Sequence, residues 1–249
     1  MRRFMLSALV VGLAIGLPAR LFAQDDPKEI IKKAIAAHGG ADKIEKFKGS
    51  KTSTKGTLSI LGMDIDFTSD ATYQSPDKLK STVKMEIMGN AMTIEQKVIG
   101  DKVSLTANGM SQELPDAMKA ELKSAVVIQR ALNLTPLLSD KSYELKALGE
   151  SKADGKDLIG VAVSGKDIKE IKVFFDKTTS LISKIERTGL DQMGGGEVKV
   201  EMMLSDYKDV QGLKRPTKMV VMQGGKKFME STTTEQKLFE KVDDKDFSD

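Results

Sequence analysis

The chain offers few side chains that could support covalent or metal chemistry. Its 249 residues include no cysteine and one histidine, His38. Without cysteine there is no thiolate nucleophile, disulfide or Cys-ligated metal, and one histidine cannot supply a two-histidine zinc site or a histidine relay. His38 closes a helical stretch just before Gly39 and Gly40, where a donor meets free helix carbonyls. We therefore interpret it as a helix cap.

Other patterns that could indicate chemistry have simpler explanations. Asp64 and Asp66 share one strand face, as catalytic carboxylates or calcium ligands can, but their alternation with apolar residues is typical of a solvated face. The run Gly194–Gly196 lies between predicted strands, so it indicates a hairpin loop rather than a phosphate cradle before a helix. A hydrolase is disfavoured because no Gly-x-Ser-x-Gly elbow occurs. The sequence thus predicts a protein that is not an enzyme and has no metal or other cofactor.

The charge balance argues against nucleic-acid binding. The chain has 39 Lys and Arg residues and 36 Asp and Glu residues, but three of the arginines lie in its first 23 residues, which contain no acid. The remaining 36 basic residues equal the 36 acidic ones. Because nucleic-acid binding needs a basic surplus, we expect no nucleic-acid partner.

The first 23 residues have the layout of a secretory signal peptide. A positive start, Met1–Arg3, is followed by the uncharged 14-residue run Phe4–Leu17, and Ala23 precedes Gln24. The alternative is an uncleaved membrane anchor, but the run is shorter than the roughly 18–20 residues that span a bilayer. We expect cleavage after Ala23, leaving residues 24–249 as a single domain.

Hydrophobic periodicity predicts a sheet-rich domain. Apolar and polar residues alternate between Lys51 and Ala107, which is typical of antiparallel strands with one dry face and one wet face. A second series follows between Tyr143 and Glu235, for about a dozen strands in meander order. No β–α–β rhythm occurs, so a parallel sheet is not expected.

Two amphipathic helical stretches, Pro27–Phe47 and Pro115–Leu138, accompany these strands. A meander this long must curl or split, and a curled sheet can enclose apolar space for the helices to cover. The alternative is a solid core in which the helices plug the sheet. If the space is open, we expect its wall to include Ile65, Phe67, Val83, Met85, Ile87, Met92, Ile94, Met118, Leu122, Val200, Met202 and Met219.

Three segments carry a family resemblance. The hairpin Ile171–Ile185, the link Asp206–Pro216 and the opening Ala36–Gly40 resemble those of periplasmic outer-membrane lipoprotein carriers and their relatives, the LolA-like and LolB-like proteins. Gly212 and Pro216 in the link mark a turn into an edge-like strand. The chain is thereby identified as a divergent member of this superfamily.

The resemblance implies a mainly β fold with helices, α+β in class: a strongly curved antiparallel half-barrel of about eleven strands covered by a helical lid. It implies a periplasmic carrier whose hydrophobic cavity binds acyl chains, with a lipid or lipid-anchored protein as cargo and envelope proteins as transient partners. The alternative is an envelope sensor or adaptor of the same fold that binds a protein. Family carriers hold the lid with an early-strand arginine; here none lies between Lys51 and Ala107, and Arg130 on the lid stretch is expected at the surface.

Overall fold

The computed structural model describes residues 26–60, 62–165, 168–191 and 196–248, so the predicted signal peptide at residues 1–23 lies outside the described residues. Two short helices come first, α1 (Pro27–Ala37) and α2 (Ala41–Lys46). Asp26 caps α1 by accepting a hydrogen bond from the backbone N–H of Lys28 at 2.9 Å. Gly39 separates the helices at φ +121°, where a Cβ would come within 2.5 Å of the Gly212 carbonyl oxygen, so the bend requires glycine.

The rest of the chain is dominated by thirteen strands and two further helices. The first series of strands is β1 (Gly49–Ile60), β2 (Met63–Gln74), β3 (Lys78–Ile87), β4 (Asn90–Ile99), β5 (Lys102–Ala107) and β6 (Met110–Ser111). The helices α3 (Asp116–Ala131) and α4 (Pro136–Ser139) come next. The second series is β7 (Tyr143–Ala153), β8 (Lys156–Gly165), β9 (Ile168–Asp176), β10 (Ile182–Leu190), β11 (Glu197–Val210), β12 (Leu213–Gln223) and β13 (Lys226–Phe239), followed by a short 3-10 helix (Asp244–Phe247).

All thirteen strands form one open antiparallel sheet in the order β6-β5-β4-β3-β2-β1-β13-β12-β11-β10-β9-β8-β7. The predicted fold class, a curved antiparallel half-barrel with helices, is therefore confirmed. The strand number is thirteen rather than about eleven, and the two-residue β6 is too short to show alternation in the sequence. The first and last strands meet at the centre through the β1–β13 pairing, while β6 and β7 form the edges.

The helices pack on one face of the sheet, which we call the concave face. Buried residues of all four helices join those of β7–β12, and of Leu238 on β13, in a large apolar core. On β2–β5 the helices cover a smaller cluster, in which Tyr73 and Val98 pack with Leu122 and Val126 of α3. We call β7–β12 the covered wing and the other seven strands, β13 and β1–β6, the open wing.

The sheet is paired along only part of the junction between the two wings. Strands β12 and β13 pair only from Lys218 opposite Thr232 onward, and before that point they diverge. The Gln211 side chain bridges the gap, donating to the Leu238 carbonyl oxygen at 3.2 Å and accepting from the Leu238 N–H at 2.7 Å. The expectation of an edge-like strand is wrong, because β12 is interior. Pro216 is tolerated there since it pairs only with Tyr207 of β11, at a place where β12 has no partner on its other side.

Candidate functional site

A cavity of about 280 Å³ lies where β12 and β13 diverge, between the concave face and the helices. Its wall combines apolar and polar side chains. Among the described residues that line it there is no Asp or Glu. The apolar part includes Leu79, Leu132, Ile182, Leu204 and Met219, and the hydroxyl-bearing part includes Ser50, Thr52, Thr54, Thr217, Ser231 and Thr233.

Arg215 occupies the polar end of this cavity. Its Nη2 lies 3.5 Å from the Asn133 Oδ1, which is a long contact. Its Nε is buried and has no hydrogen-bond partner among the described residues, and the same holds for the Gln236 Oε1. Burial lowers the pKa of Arg215, but a guanidinium remains protonated at neutral pH. The polar end therefore carries a positive charge that no described carboxylate balances.

His38 lines the cavity as a neutral ring. Its Nδ1 donates to the Ala34 carbonyl oxygen at 2.8 Å, and its backbone N–H bonds the same oxygen at the end of α1, so the predicted helix cap is confirmed. Burial lowers its pKa to about 4, and its ring meets that of Tyr207 edge-on with centroids 5.7 Å apart. Because a carbonyl can only accept, the proton sits on Nδ1, and the ring contributes no positive charge at neutral pH.

Helix α3 connects the two wings. On the open wing, Leu122 and Val126 pack against Tyr73 and Val98. On the covered wing, Glu121 accepts from both terminal nitrogens of Arg187 on β10, with Nη1 to Oε2 at 3.1 Å. Both side chains are about 15% exposed, so this bidentate pair is largely screened from water. The helix is thus held by packing on both wings, through Leu122 and Val126 on the open wing and Ile128 and Ala131 on the covered wing, and by one ion pair on the covered wing.

Arg130 was expected at the surface but is half-buried. It pairs with Asp140, just after α4, and lies over the Tyr143 ring with 5.6 Å from its Cζ to the ring centroid. Its side chain is about one-third exposed. Arg130 therefore ties the end of α3 to the start of β7 and does not reach the cavity wall.

Strand register places all ten strand residues of the expected ligand wall on the concave face. Phe67 pairs with Met85, and Met85 with Met92; Lys84 pairs with Thr68 and Thr93, and so points to the opposite face. Within this set only Met219 lines the cavity. The other strand residues lie elsewhere on the concave face: Ile65, Phe67, Val83, Met85, Ile87, Met92 and Ile94 on the open wing, and Val200 and Met202 on the covered wing.

The two helix residues of the expected wall, Met118 and Leu122, are both on α3. Leu122 is buried in the contact with the open wing, whereas Met118, one turn earlier, is half-buried. Neither lines the cavity. We call the seven open-wing residues of the preceding paragraph the outer patch, and α3 lies across the sheet between this patch and the covered wing.

The patterns that could have indicated catalysis have structural partners. Asp64 and Asp66 are exposed and accept hydrogen bonds from the hydroxyls of Ser59 at 2.6 Å and Thr57 at 3.1 Å on the neighbouring strand. Across residues 26–60, 62–165, 168–191 and 196–248, no group of three His, Asp or Glu side chains is arranged to hold a metal ion. Gly194 and Gly195 lie outside the described residues. No helix in that part of the chain is long and apolar enough to cross a bilayer.

Comparison with protein-family models and with curated proteins gives no match. Solved structures do match along most of the chain. A domain from Vibrio parahaemolyticus, named as an outer membrane lipoprotein-sorting protein, is 16% identical with a TM-score of 0.51, over 88% of this chain and 95% of that one. A LolA superfamily protein from Nitrosomonas europaea is 11% identical with a TM-score of 0.54, over 90% and 97%.

The chain has the LolA-like fold. A DUF1329 family protein from Desulfovibrio piger shares it, at 14% identity and a TM-score of 0.55, over 90% of this chain and 98% of that one. The suspected resemblance is confirmed at the level of the fold. Within this LolA-like half-barrel, the strand arginine that holds α3 is Arg187, on the late strand β10.

Sequence reasoning missed Arg187 and Arg215 as site residues. After residue 23 the chain contains only three arginines, Arg130, Arg187 and Arg215, although lysine is abundant. All three contact α3 or the segment that follows it, through Glu121, Asn133 and Asp140. The scarcity of arginine in a lysine-rich chain was the signal available, because a planar guanidinium suits buried and bidentate contacts better than an ammonium group does.

Proposed function

We propose that this protein is a periplasmic carrier that binds the acyl chain of a lipid or of a lipid-anchored protein against its concave face and moves it through the envelope. The proposal rests on one observation: the helices of this LolA-like half-barrel do not fill it. They leave a cavity of about 280 Å³ where β12 and β13 diverge. Ligand pockets commonly have volumes of 300–1,000 Å³, so this cavity has room for part of one chain.

The outer patch supplies the apolar surface for the rest of the chain. Phe67 is 7% exposed, whereas Met85 and Met92, which follow it across the sheet, are only half-buried. Methionine side chains are flexible and polarisable, which suits an apolar ligand of variable shape. In this proposal the tail of the ligand covers Met85 and Met92, and α3 moves to admit it.

Location and processing complete the proposal. Export by the signal peptide at residues 1–23 and cleavage after Ala23 deliver residues 24–249 to the periplasm as a single domain. N-terminal sequencing of the exported protein should begin at Gln24, and retention of residues 1–23 in a membrane fraction would contradict this step. We propose no catalytic role, since the sole histidine is a buried helix cap.

The test is acyl-chain binding by a matched pair of variants. Met85→Glu places an unpaired charge on the proposed contact surface, which costs several kcal/mol in an apolar site. Lys84→Glu changes charge on the exposed opposite face and should cost less than about 0.5 kcal/mol. With a fluorescent fatty acid as probe, Met85→Glu should abolish binding and Lys84→Glu should leave it nearly unchanged.

Circular dichroism and a melting curve must show that both variants are folded. A folded Met85→Glu variant that binds as the parent does would remove the outer patch from the site. Mass spectrometry of molecules that leave the periplasm with the protein supplies the second readout. A stable protein partner with no co-purified lipid would instead favour the sensor or adaptor function.

A further inference from the structure

The polar end of the cavity has more hydrogen-bonding capacity than the protein uses. Two of its side chains, Arg215 and Gln236, each have a buried polar atom without a partner among the described residues. Most buried polar atoms in native proteins are hydrogen-bonded, and each exception requires a cause. The Gln236 Oε1 is an acceptor, whereas the Arg215 Nε is a donor, so it is Arg215 that indicates a ligand group able to accept a hydrogen bond.

The sign of the charge at this end is set by Arg215. Among the described residues its guanidinium makes one hydrogen bond, the long one to Asn133, and the cavity wall contains no acid among those residues. Lys218 also reaches the wall but pairs with Glu230 at 2.9 Å. His38 is neutral, and its Nδ1 proton is already donated to Ala34. Arg215 is half-buried and its Nε is buried, and a cation partly removed from water is costly without a counter-charge, so the group that fits here is an anion.

The rest of the cavity wall limits the shape of that ligand. Its apolar part includes Ile182, Leu204, Met219 and Leu132, and its hydroxyl-bearing side chains are uncharged. A volume of about 280 Å³ excludes a bulky head with several chains. The wall thus combines one unpaired cation with an apolar part, as a single-chain acid requires.

We infer that Arg215 binds the carboxylate or phosphate head of a single-chain amphiphile, such as a fatty acid or a lysophospholipid, whose tail lies along the apolar wall. This inference rests on the proposed function for the tail and adds the chemistry of the head. The planar guanidinium can supply two parallel donors to the anion.

The experiment measures binding of three 16-carbon probes to the mature protein at pH 8, where the acids are ionised: palmitate, 1-palmitoyl-lysophosphatidate and neutral hexadecanol. The parent should bind at least one of the two anions about tenfold or more tightly than hexadecanol. A preference for palmitate identifies a carboxylate head, and a preference for lysophosphatidate identifies a phosphate head. Arg215→Gln should remove the advantage of the anion while leaving hexadecanol binding within about twofold.

Arg130→Gln is the matched control, because Arg130 has its own carboxylate partner, and it should keep the parent's preference. Arg215→Lys should retain part of the preference for the anion, since the positive charge remains while the paired donors of the guanidinium are lost. Unliganded Arg215→Gln should melt no lower than the parent, because the substitution removes a half-buried unpaired charge. A lower melting temperature would show a structural role for Arg215 and count against the inference.

Equal binding of all three probes by the parent would overturn the inference and leave the carrier function standing. Binding of none of them would overturn the carrier function as well. An anion preference that survives in Arg215→Gln would place the anion elsewhere.

Discussion

The two wings are built from strands with the same alternation of apolar and polar residues, but their concave faces differ in how far they are buried. On the covered wing, positions such as Val161, Val173 and Ile185 are at most 1% exposed beneath the helices. On the open wing, hydroxyl-bearing residues such as Thr52 and Ser81 stand on the same face, followed outward by the methionines of the outer patch. Strand periodicity therefore reports which residues share a face, while the helices decide whether that face becomes core or binding surface.

The largest expected effect on the free energy of unfolding comes from shortening one core side chain of the covered wing. Phe175→Ala removes a ring that is 1% exposed in the main core, and should lower the free energy of unfolding by about 3–5 kcal/mol. Met85→Ala on the open wing should cost only about 1 kcal/mol, since its side chain is half-buried. Urea denaturation of both variants provides the comparison. Equal losses would mean that the wings are packed alike.

Cutting the ionic contact between α3 and the covered wing should have the next largest effect. Glu121→Gln leaves the Arg187 guanidinium with weaker acceptors in a site about 15% exposed, at a cost of about 2–3 kcal/mol after allowance for that exposure. Hydrogen exchange should accelerate in α3 and remain slow in β8 and β9. In the double variant Glu121→Gln, Arg187→Gln the free energy of unfolding should fall by less than the sum of the losses in the two single variants. Unchanged exchange in α3 would show that apolar packing holds the helix without the ion pair.

A pH effect is expected where α1 ends beside the cavity. The pKa of His38 is lowered by burial to about 4, from an ordinary value of 6.5, so the unfolded state binds a proton that the folded state excludes between these values. The contribution of His38 to the free energy of unfolding is fully present above pH 6.5 and is lost as the pH drops toward 4. The loss is about 2 kcal/mol between pH 7 and 5. His38→Gln keeps a donor for the Ala34 carbonyl and should flatten this part of the stability profile. The parent and the variant share all carboxylates, so parallel profiles would contradict a buried neutral His38.

The smallest effect is expected for the hydroxyls of the open wing. The Ser81 Oγ lies 3.5 Å from the Ser69 Oγ, at the limit of a hydrogen bond, and both side chains are half-buried. Ser81→Ala should change the free energy of unfolding by less than about 0.5 kcal/mol. A loss above 1 kcal/mol in thermal or urea denaturation would show that this face is part of the structural core.

Local features of this fold could be predicted from the sequence, because local chemistry determines them. The alternation around Met85 and Ile94 assigns the strand faces correctly, and the residues before Gly39 identify a helix end capped by His38. Pro115 likewise marks the start of α3. Each of these signals lies within a few residues of the feature it predicts.

Features that depend on distant pairing could not be predicted in the same way. Strands β1 and β13 pair with each other although they lie far apart in the sequence, and no periodic pattern links them. Where β12 and β13 diverge, the Gln211 side chain takes the place of backbone hydrogen bonds between them. Nothing in the sequence distinguishes this glutamine from any other glutamine in a turn. The cavity and the position of Arg215 follow from that divergence, so the candidate site was the part least accessible to sequence reasoning.

Because the sheet does not close, strand β7 leaves one row of backbone donors and acceptors without a neighbouring strand. Such an edge can recruit the same edge of another molecule and start aggregation. Here β7 carries the exposed charges of Glu144, Lys146 and Glu150, and its pairing with β8 shifts register between Ala147 and Gly149. Charge and a bulge together make a poor template for a further strand. These two features of β7 disfavour polymerisation of the open half-barrel through this edge.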